Sequence, residues 1–213
     1  MDNFKHLKIW KNHKNDSSKI VLNKHFLFIQ IPKTSSSSIL NSCTKKGLVT
    51  NMNCYRHEGL LYLENFIDEK LPVFAVVRNP FTHIFSYFFH RVRWNEIKLD
   101  DTISLKENFE KFVIDSINNI HLRQCDYIKS NKKIKVYLIK FEDKNIAKIL
   151  NNKFNIKLDE NNIVNENDCP KYIESKKNIK SFFTNPQIID LIIKERSSEF
   201  KTFNYSTNVN DIQ

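Results

Sequence analysis

Lys33, standing at the exit of an apolar run, carries more chemical information than any other residue of this chain. In FLFIQIPKTSSSSIL, Phe26 to Leu40, β-type residues end in Ile-Pro-Lys-Thr, serines follow, and an apolar pattern then opens a helix. Strand, short polar loop and helix is the geometry that aims backbone N–H groups and a helix N-terminus at an anion. Lys33 adds a point charge, and Thr34, Ser35, Ser36, Ser37 and Ser38 add hydroxyl donors. The triphosphate-binding loop G-x-x-x-x-G-K-[ST] is a different pattern: here the lysine stands at the front and glycine is missing. A second segment, FAVVRNPFTHIFSYFFH from Phe74 to His90, repeats the layout of apolar run, polar turn and helix. Arg78 at the strand exit and Ser86 within the helix together offer a fork of donors and a hydroxyl for one phosphate.

The two segments resemble the paired cofactor signatures of sulfotransferases that use 3′-phosphoadenosine 5′-phosphosulfate (PAPS). The first resembles the 5′-phosphosulfate loop, I-P-K-[TS]-[AG]-G-[TS]-[ST]. The second resembles the 3′-phosphate signature, R-[ND]-P-[YF]-x-R-x-x-S, which makes Arg78 and Ser86 the implied phosphate ligands. HLRQCDYI (His121 to Ile128), VYLIKFEDKNIAKIL (Val136 to Leu150) and DLIIKERSSEFKTFNY (Asp190 to Tyr205) are similar to further stretches of the membrane-type carbohydrate sulfotransferases, the heparan-sulfate 2-O-sulfotransferase-like group. The resemblance runs from Phe26 to Tyr205 in the family's order.

That resemblance implies an α/β architecture, a three-layer P-loop-like sulfotransferase fold with a short central parallel sheet flanked by helices. It implies in-line transfer of a sulfuryl group from PAPS to a hydroxyl acceptor, with no metal. A carbohydrate acceptor rests on family analogy alone. Lys33 is then expected to stabilise negative charge on the bridging oxygen as the sulfuryl group leaves. Relatives draw their general base, His or Glu, from the stretch between the two signatures. Here RHEGLLYLENF sets His57 beside Glu58. His57 is the preferred base, since imidazole is suited to proton transfer near neutral pH; Glu58 is the alternative.

The sequence departs from the pattern at three places. Ser35 and Ser36 occupy the small or glycine positions of the first loop. A left-handed residue there costs serine roughly 1 kcal/mol relative to glycine. His83 stands where the family usually has arginine, so that arm of the site is weaker, or charged only at lower pH. Arg123 replaces a proline. These departures bear on affinity and turnover more than on fold.

The elements that must position these residues follow from periodicity. Strands are predicted over Lys24–Gln30, Val73–Val77 and Lys135–Lys140, the second a continuous apolar run of the kind buried on both faces of a parallel sheet. Helices are predicted over Ser36–Lys46, from Pro80 with a core face of Phe81, Ile84, Phe85, Phe88 and Phe89, over Glu107–Asn119, over Asp143–Asn151, and from Asn185 to Ser198. Gly59–Phe66 reads as a short strand or helix, and Val49–Arg56, Trp94–Lys106 and Lys157–Lys180 as irregular and polar. Glu142 is expected to cap the helix that follows it or to order the site, capping being the blander role. Tyr172, Phe182 and Phe183 are expected in the core rather than against an adenine. Residues 1–20 are expected to form a polar arm, 21–206 the single domain that the resemblance implies to be a sulfotransferase, and 207–213 a C-terminal tail.

Composition narrows the classes. A chain of 213 residues, 40% hydrophobic with 17 Phe, can build a sizeable core as one domain. No stretch reaches the roughly 20 apolar residues of a membrane span, and the N-terminus lacks an apolar signal core, so a cytoplasmic or otherwise soluble setting is expected. Cys43, Cys54, Cys125 and Cys169 show no C-x-x-C spacing and read as reduced thiols, with neither a disulfide frame nor zinc. The net charge of +10 comes from lysines spread over nearly every segment, a solvated surface rather than a nucleic-acid patch. Two rival readings are a degenerate binder of PAPS or of its product adenosine 3′,5′-bisphosphate (PAP) without turnover, and a basic nucleic-acid-binding module. The latter would show affinity falling steeply with salt.

Overall fold

The computed structural model describes residues 18–52, 54–118, 123–143, 145–154 and 170–212. Its centre is a parallel sheet of three strands, β2 (Leu27–Ile29), β4 (Val73–Val77) and β5 (Val136–Lys140), in the order β2-β4-β5. Leu27 pairs with Val73, and Val73 with Val136, so β4 is flanked on both sides. Successive side chains of β4 point to opposite faces. Phe74 and Val76 pack with Ile39, Leu40 and Cys43 of α1 (Ser36–Lys45) and with Ile146, Ala147 and Leu150 of α6 (Ile146–Phe154). Val73, Ala75 and Val77 pack the other way, on Leu60 and Leu63 of α2 (Leu60–Leu63), Tyr127 of α5 (Gln124–Tyr127) and Phe203. The sheet therefore has helices on both faces, as an α/β arrangement of parallel strands requires.

A second body of apolar contact forms around α3 (Pro80–Arg93). Pro80 at the first helical position and Asn79, whose side chain accepts from Phe81 N–H, start this helix cleanly. Every residue from Pro80 to Phe89 is buried. The expected core face is there: Phe81, Ile84, Phe85, Phe88 and Phe89 pack against Phe109 and Phe112 of α4 (Leu105–Ser116) and against Phe182, Phe183 and Phe200. Many of these rings meet edge to face, such as Phe85 with Phe182 at 5.1 Å between centroids. Such pairs add about 0.5–1.5 kcal/mol beyond the area they bury.

Several boundaries differ from the sequence expectation for identifiable reasons. Residues 18–20 are not arm: β1 (Ser18–Ile20) pairs antiparallel with β3 (Thr50–Met52), inside the stretch read as a polar connection. Gly59–Phe66 resolves to α2 and a 3₁₀ turn over Glu64–Phe66. α4 begins at Leu105 because Ser104 and Glu107 form a reciprocal capping box, the signal for an N-terminus at this point. Within the segment read as irregular, α7 (Pro170–Lys176) forms with Tyr172 buried, and Ile179–Phe182 makes a 3₁₀ turn; residues 155–169 lie outside the described residues. The last helix divides into α8 (Pro186–Glu195) and α9 (Ser197–Thr202). Ile212, in the predicted tail, is buried in the α3 cluster. Among the described residues no helix is long and apolar enough to cross a membrane.

Candidate anion site

The first loop leaves β2 and turns tightly into α1. Lys33 and Ser35 both adopt left-handed backbone, with φ of 62° and 63°. Each is disfavoured by about 1 kcal/mol or more for a residue with a Cβ. Ser35 is thus the serine that needed a glycine's conformation; Ser36 is already the first residue of the helix. Thr34 is fully buried and its hydroxyl donates to the Ile31 carbonyl at 2.9 Å, which ties the turn to itself. Ser35 stands at the N-cap of α1 without a side-chain cap bond. The first-turn N–H groups of a helix have no intrahelical acceptor, so an uncapped start of this kind favours an anion. Ser36 and Ser38 are buried, and Ser37 accepts a hydrogen bond from Arg56 Nη2 at 2.8 Å.

The second turn is built around Arg78, which is buried. Its Nε donates to Thr82 Oγ1 at 3.0 Å, Nη1 to the Lys33 carbonyl at 3.2 Å and Nη2 to the Tyr172 hydroxyl at 3.4 Å. Phe141 lies under the guanidinium, 4.5 Å from ring centroid to Cζ. A guanidinium has five N–H donors, so two lie outside these bonds. The backbone of Arg78 is held as firmly. Gln124 Oε1 accepts its N–H and Gln124 Nε2 donates to its carbonyl, both at 2.8 Å. Gln124 is held in turn by Glu199, which accepts from its backbone N–H at 2.6 Å and from Nε2 at 3.2 Å. Burial pushes the Glu199 carboxyl up to about 7, against the pull of the Arg196 charge.

Glu142 does not cap the helix after it. Its Oε1 accepts from Asn79 N–H at 2.9 Å, and its Oε2 from the Tyr205 hydroxyl at 2.6 Å. A carboxylate therefore already occupies the N-terminus of α3. An anion meeting this segment has side chains to meet, Arg78 and, further along the helix, Ser86, rather than the start of the helix. Ser86 is buried one turn beyond Thr82, and residues four apart share a helix face.

The two loops lock together. Besides the bond from Arg78 to the Lys33 carbonyl, His83 Nε2 lies 2.9 Å from the Pro32 carbonyl. Burial lowers the His83 imidazole to about 3, against the bond to Pro32, which raises it, and the neighbouring charges of Arg78, Arg196 and Lys33 lower it further. His90 is lowered to about 4 by burial and then by Lys33, Arg93 and Arg91.

His57 and Glu58 part company. The His57 Nδ1 is 2.5 Å from the backbone carbonyl of Gln30, the last residue before the Ile-Pro-Lys turn. A carbonyl oxygen only accepts, so Nδ1 carries the hydrogen and the lone pair of the neutral ring is on Nε2. Arg56 next to it donates from Nε to Gln30 Oε1 at 3.2 Å and from Nη2 to Ser37. His57 is thereby joined to the same loop as Lys33. Glu58 belongs to a turn closed by its N–H to the Tyr55 carbonyl, and burial raises its carboxyl. Its charge acts on Cys54, Tyr55 and Tyr127.

Lys33, Thr34, Ser35, Ser36, Ser37, Ser38, Arg78 and His57 are brought together in this way, and Ser86 is buried one turn along α3 from Thr82. His121, at the head of the stretch that supplies Gln124, lies outside the described residues. Gln124 and Tyr172 bond Arg78 directly, Glu199 holds Gln124, and Glu142 with Tyr205 holds the Asn79 N–H beside it; all but Tyr172 fall in stretches similar to the family. Tyr172, Phe182 and Phe183 are core residues, as expected. An open cleft of about 540 Å³ beside α7, lined by Leu99, Asp101, Lys171, Glu174 and Phe182, touches none of the candidate residues. No protein-family model, no curated protein and no solved structure matches the chain.

Proposed function

We propose that this protein is a sulfotransferase that moves the sulfuryl group of PAPS to a hydroxyl acceptor. The observation that carries the reading is the bond between the two loops. Arg78 and Lys33 stand at the ends of adjacent parallel strands and are held to each other at 3.2 Å. The outer edge of such strand ends is where open α/β sheets bind ligands. An uncapped α1, a lysine beside it and a half-committed guanidinium suit a ligand with two separate anionic groups. PAPS is such a ligand.

In this reading the α1 N-terminus and the serine hydroxyls hold the 5′-phosphosulfate, and Arg78 with Ser86 meets the 3′-phosphate. His57 Nε2 takes the proton of the acceptor hydroxyl as that oxygen bonds to sulfur. The bond from sulfur to the bridging oxygen breaks, and Lys33 stabilises the negative charge left there on the departing bisphosphate. Sulfuryl transfer resembles phosphoryl transfer in asking mainly for in-line positioning and charge stabilisation. Gln30 contributes by fixing the His57 tautomer. The acceptor is a carbohydrate by analogy with the resembled family.

A thermal-shift series tests the reading. PAPS and PAP should both stabilise the fold through linkage, and ATP, lacking a 3′-phosphate, much less. ATP matching the bisphosphate would rule it out. Stabilisation by PAP with no sulfated product from a panel of glycans and small alcohols would leave a binder without turnover.

A further inference from the structure

His83 touches neither ligand group in the proposed function, yet it is almost wholly buried on a helix rich in phenylalanine. A buried imidazole N–H needs an acceptor, and whichever element supplies it is thereby tied to the ring. Here the acceptor is the Pro32 carbonyl, 2.9 Å from Nε2. Because that oxygen only accepts, Nε2 carries the hydrogen. The adjacent carbonyl, that of Lys33, receives Arg78 Nη1. Two successive carbonyls of the first loop are therefore held by two residues of the second. Between them lies the Lys33 backbone at φ 62°, a conformation a lysine keeps only where its surroundings over-determine it. Pro32 has no N–H and cannot contribute a donor of its own. Thr34 braces the far side of the turn through Ile31.

We infer that His83 is a positioning residue for Lys33: its Nε2–H fixes the Pro32 carbonyl and so holds the left-handed turn that aims the lysine. This deepens the sulfotransferase reading and rests on it for the chemistry that Lys33 performs. It also reassigns His83, which is a neutral donor to the loop rather than a cation for the phosphate. The surrounding charges of Arg78, Arg196 and Lys33 agree, since each disfavours an imidazolium at this point.

Two substitutions separate the donor from the filler. His83→Gln puts an amide nitrogen as many bonds from Cβ as Nε2, and keeps an N–H for Pro32. His83→Phe keeps the ring volume and removes the donor. In steady-state assays His83→Phe is expected to lower kcat by about tenfold to a hundredfold while the PAP dissociation constant changes little, because a misaimed lysine costs the transition state. His83→Gln should recover most of kcat. Hydrogen exchange of the 33–36 amides reads the loop without any turnover. Exchange about tenfold faster in His83→Phe, restored in His83→Gln, is the expected result. Equal loop exchange in all three proteins would overturn the inference. So would a His83→Phe protein with unchanged kcat, or one whose loss lies in PAP binding alone. If the wild-type protein fails to bind PAP, the sulfotransferase reading falls and the exchange comparison still decides the role of His83. If His83→Phe does not fold, ¹⁵N spectra of the wild-type imidazole decide it: an Nε2–H tautomer persisting to pH 5 supports the inference, and an Nδ1–H tautomer or an imidazolium at pH 6 overturns it.

Discussion

Arg78 reaches across from the second strand exit and donates through Nη1 to the backbone carbonyl of Lys33 at 3.2 Å. The residue proposed to bind one end of the nucleotide thus also shapes the loop that binds the other end. Its remaining bonds to Thr82 and Tyr172, and the Gln124 amide on its backbone, leave it little freedom to turn away. A charged fork held in advance of its ligand avoids the cost of ordering it on binding.

Arg78→Lys tests that double role. Lysine keeps the charge but has neither the planar fork nor the reach to hold Thr82, Lys33 and Tyr172 together. We expect PAP affinity to fall by about tenfold or more, since several charge-assisted bonds are lost. Loop amides 33–36 should exchange faster in the free protein. Isothermal titration together with exchange on the same variant checks both. A weaker Kd with an unchanged loop would confine Arg78 to the phosphate.

Ser35 and Ser36 separate in a stability measurement. Ser35 is left-handed at φ 63°, whereas Ser36 begins α1. Ser35→Gly removes a Cβ from a position that disfavours it and should stabilise by about 1 kcal/mol or less, after the entropy that glycine adds to the unfolded chain. For a chain of this size that raises Tm by roughly 2–4 °C per kcal/mol. Ser36→Gly should lower Tm. Thermal unfolding in which the two variants move together would contradict the assigned turn.

What could be read beforehand follows how local the cause is. Val73–Val77 announces itself as a buried strand because five successive apolar residues leave no polar face, and it is buried on both faces. The helix after Pro80 is legible for a similar reason, a proline start followed by apolar residues at helical spacing. β1 and β3 are three residues each and largely polar, and their pairing links Ser18 to Met52; nothing near either strand signals the partner. The candidate site divides in the same way. Lys33, the serines and Arg78 stand in contiguous motifs. Gln124 with Glu199, and Glu142 with Tyr205, are separated by 75 and 63 positions, and only the folded chain brings the first pair to Arg78 and the second to its neighbours Val77 and Asn79. For Glu142, capping its own helix is the local solution and ordering the site the non-local one. The buried Asn79 N–H and Tyr205 hydroxyl offer it stronger partners.

The acid dependence of stability has opposing parts. His83 and His90 are held at about 3 and about 4, below the ordinary 6.5. The unfolded chain takes up protons that the folded chain refuses, so their contribution to stability is intact above about pH 6.5 and lost as pH falls below it. Glu199 is raised from 4.5 to about 7. The folded chain holds its proton where the unfolded chain releases it, so this contribution is full below about pH 4.5 and lost as pH rises through 7. Between roughly pH 4.5 and 6.5 the effects oppose each other. Denaturant unfolding across this range should show His83→Gln flattening the acid loss, by up to about 1.4 kcal/mol per pH unit. Glu199→Gln should steepen the loss in the same window. No change of slope in His83→Gln would mean that the imidazole is not buried in neutral form.

The general base is the step on which turnover depends. An acceptor hydroxyl is a weak nucleophile, and a group near the sulfur must remove its proton as the new bond forms. The geometry separates the adjacent candidates. His57 is tied through Nδ1 to the Gln30 carbonyl, at the foot of the loop that carries Lys33, which puts its lone pair on Nε2. Glu58 instead belongs to the turn closed on the Tyr55 carbonyl, and its charge acts on Tyr55, Cys54 and Tyr127. His57→Ala should therefore lower kcat by about two orders of magnitude or more while PAP binding is kept. The loss of rate on the acid side, where an imidazole base becomes protonated, should go with it. Glu58→Gln should keep that acid limb and most of kcat. The reverse pattern, an acid limb that survives in His57→Ala and vanishes in Glu58→Gln, would transfer the proton to Glu58 and leave His57 as a brace between the Tyr55–Glu58 turn and β2.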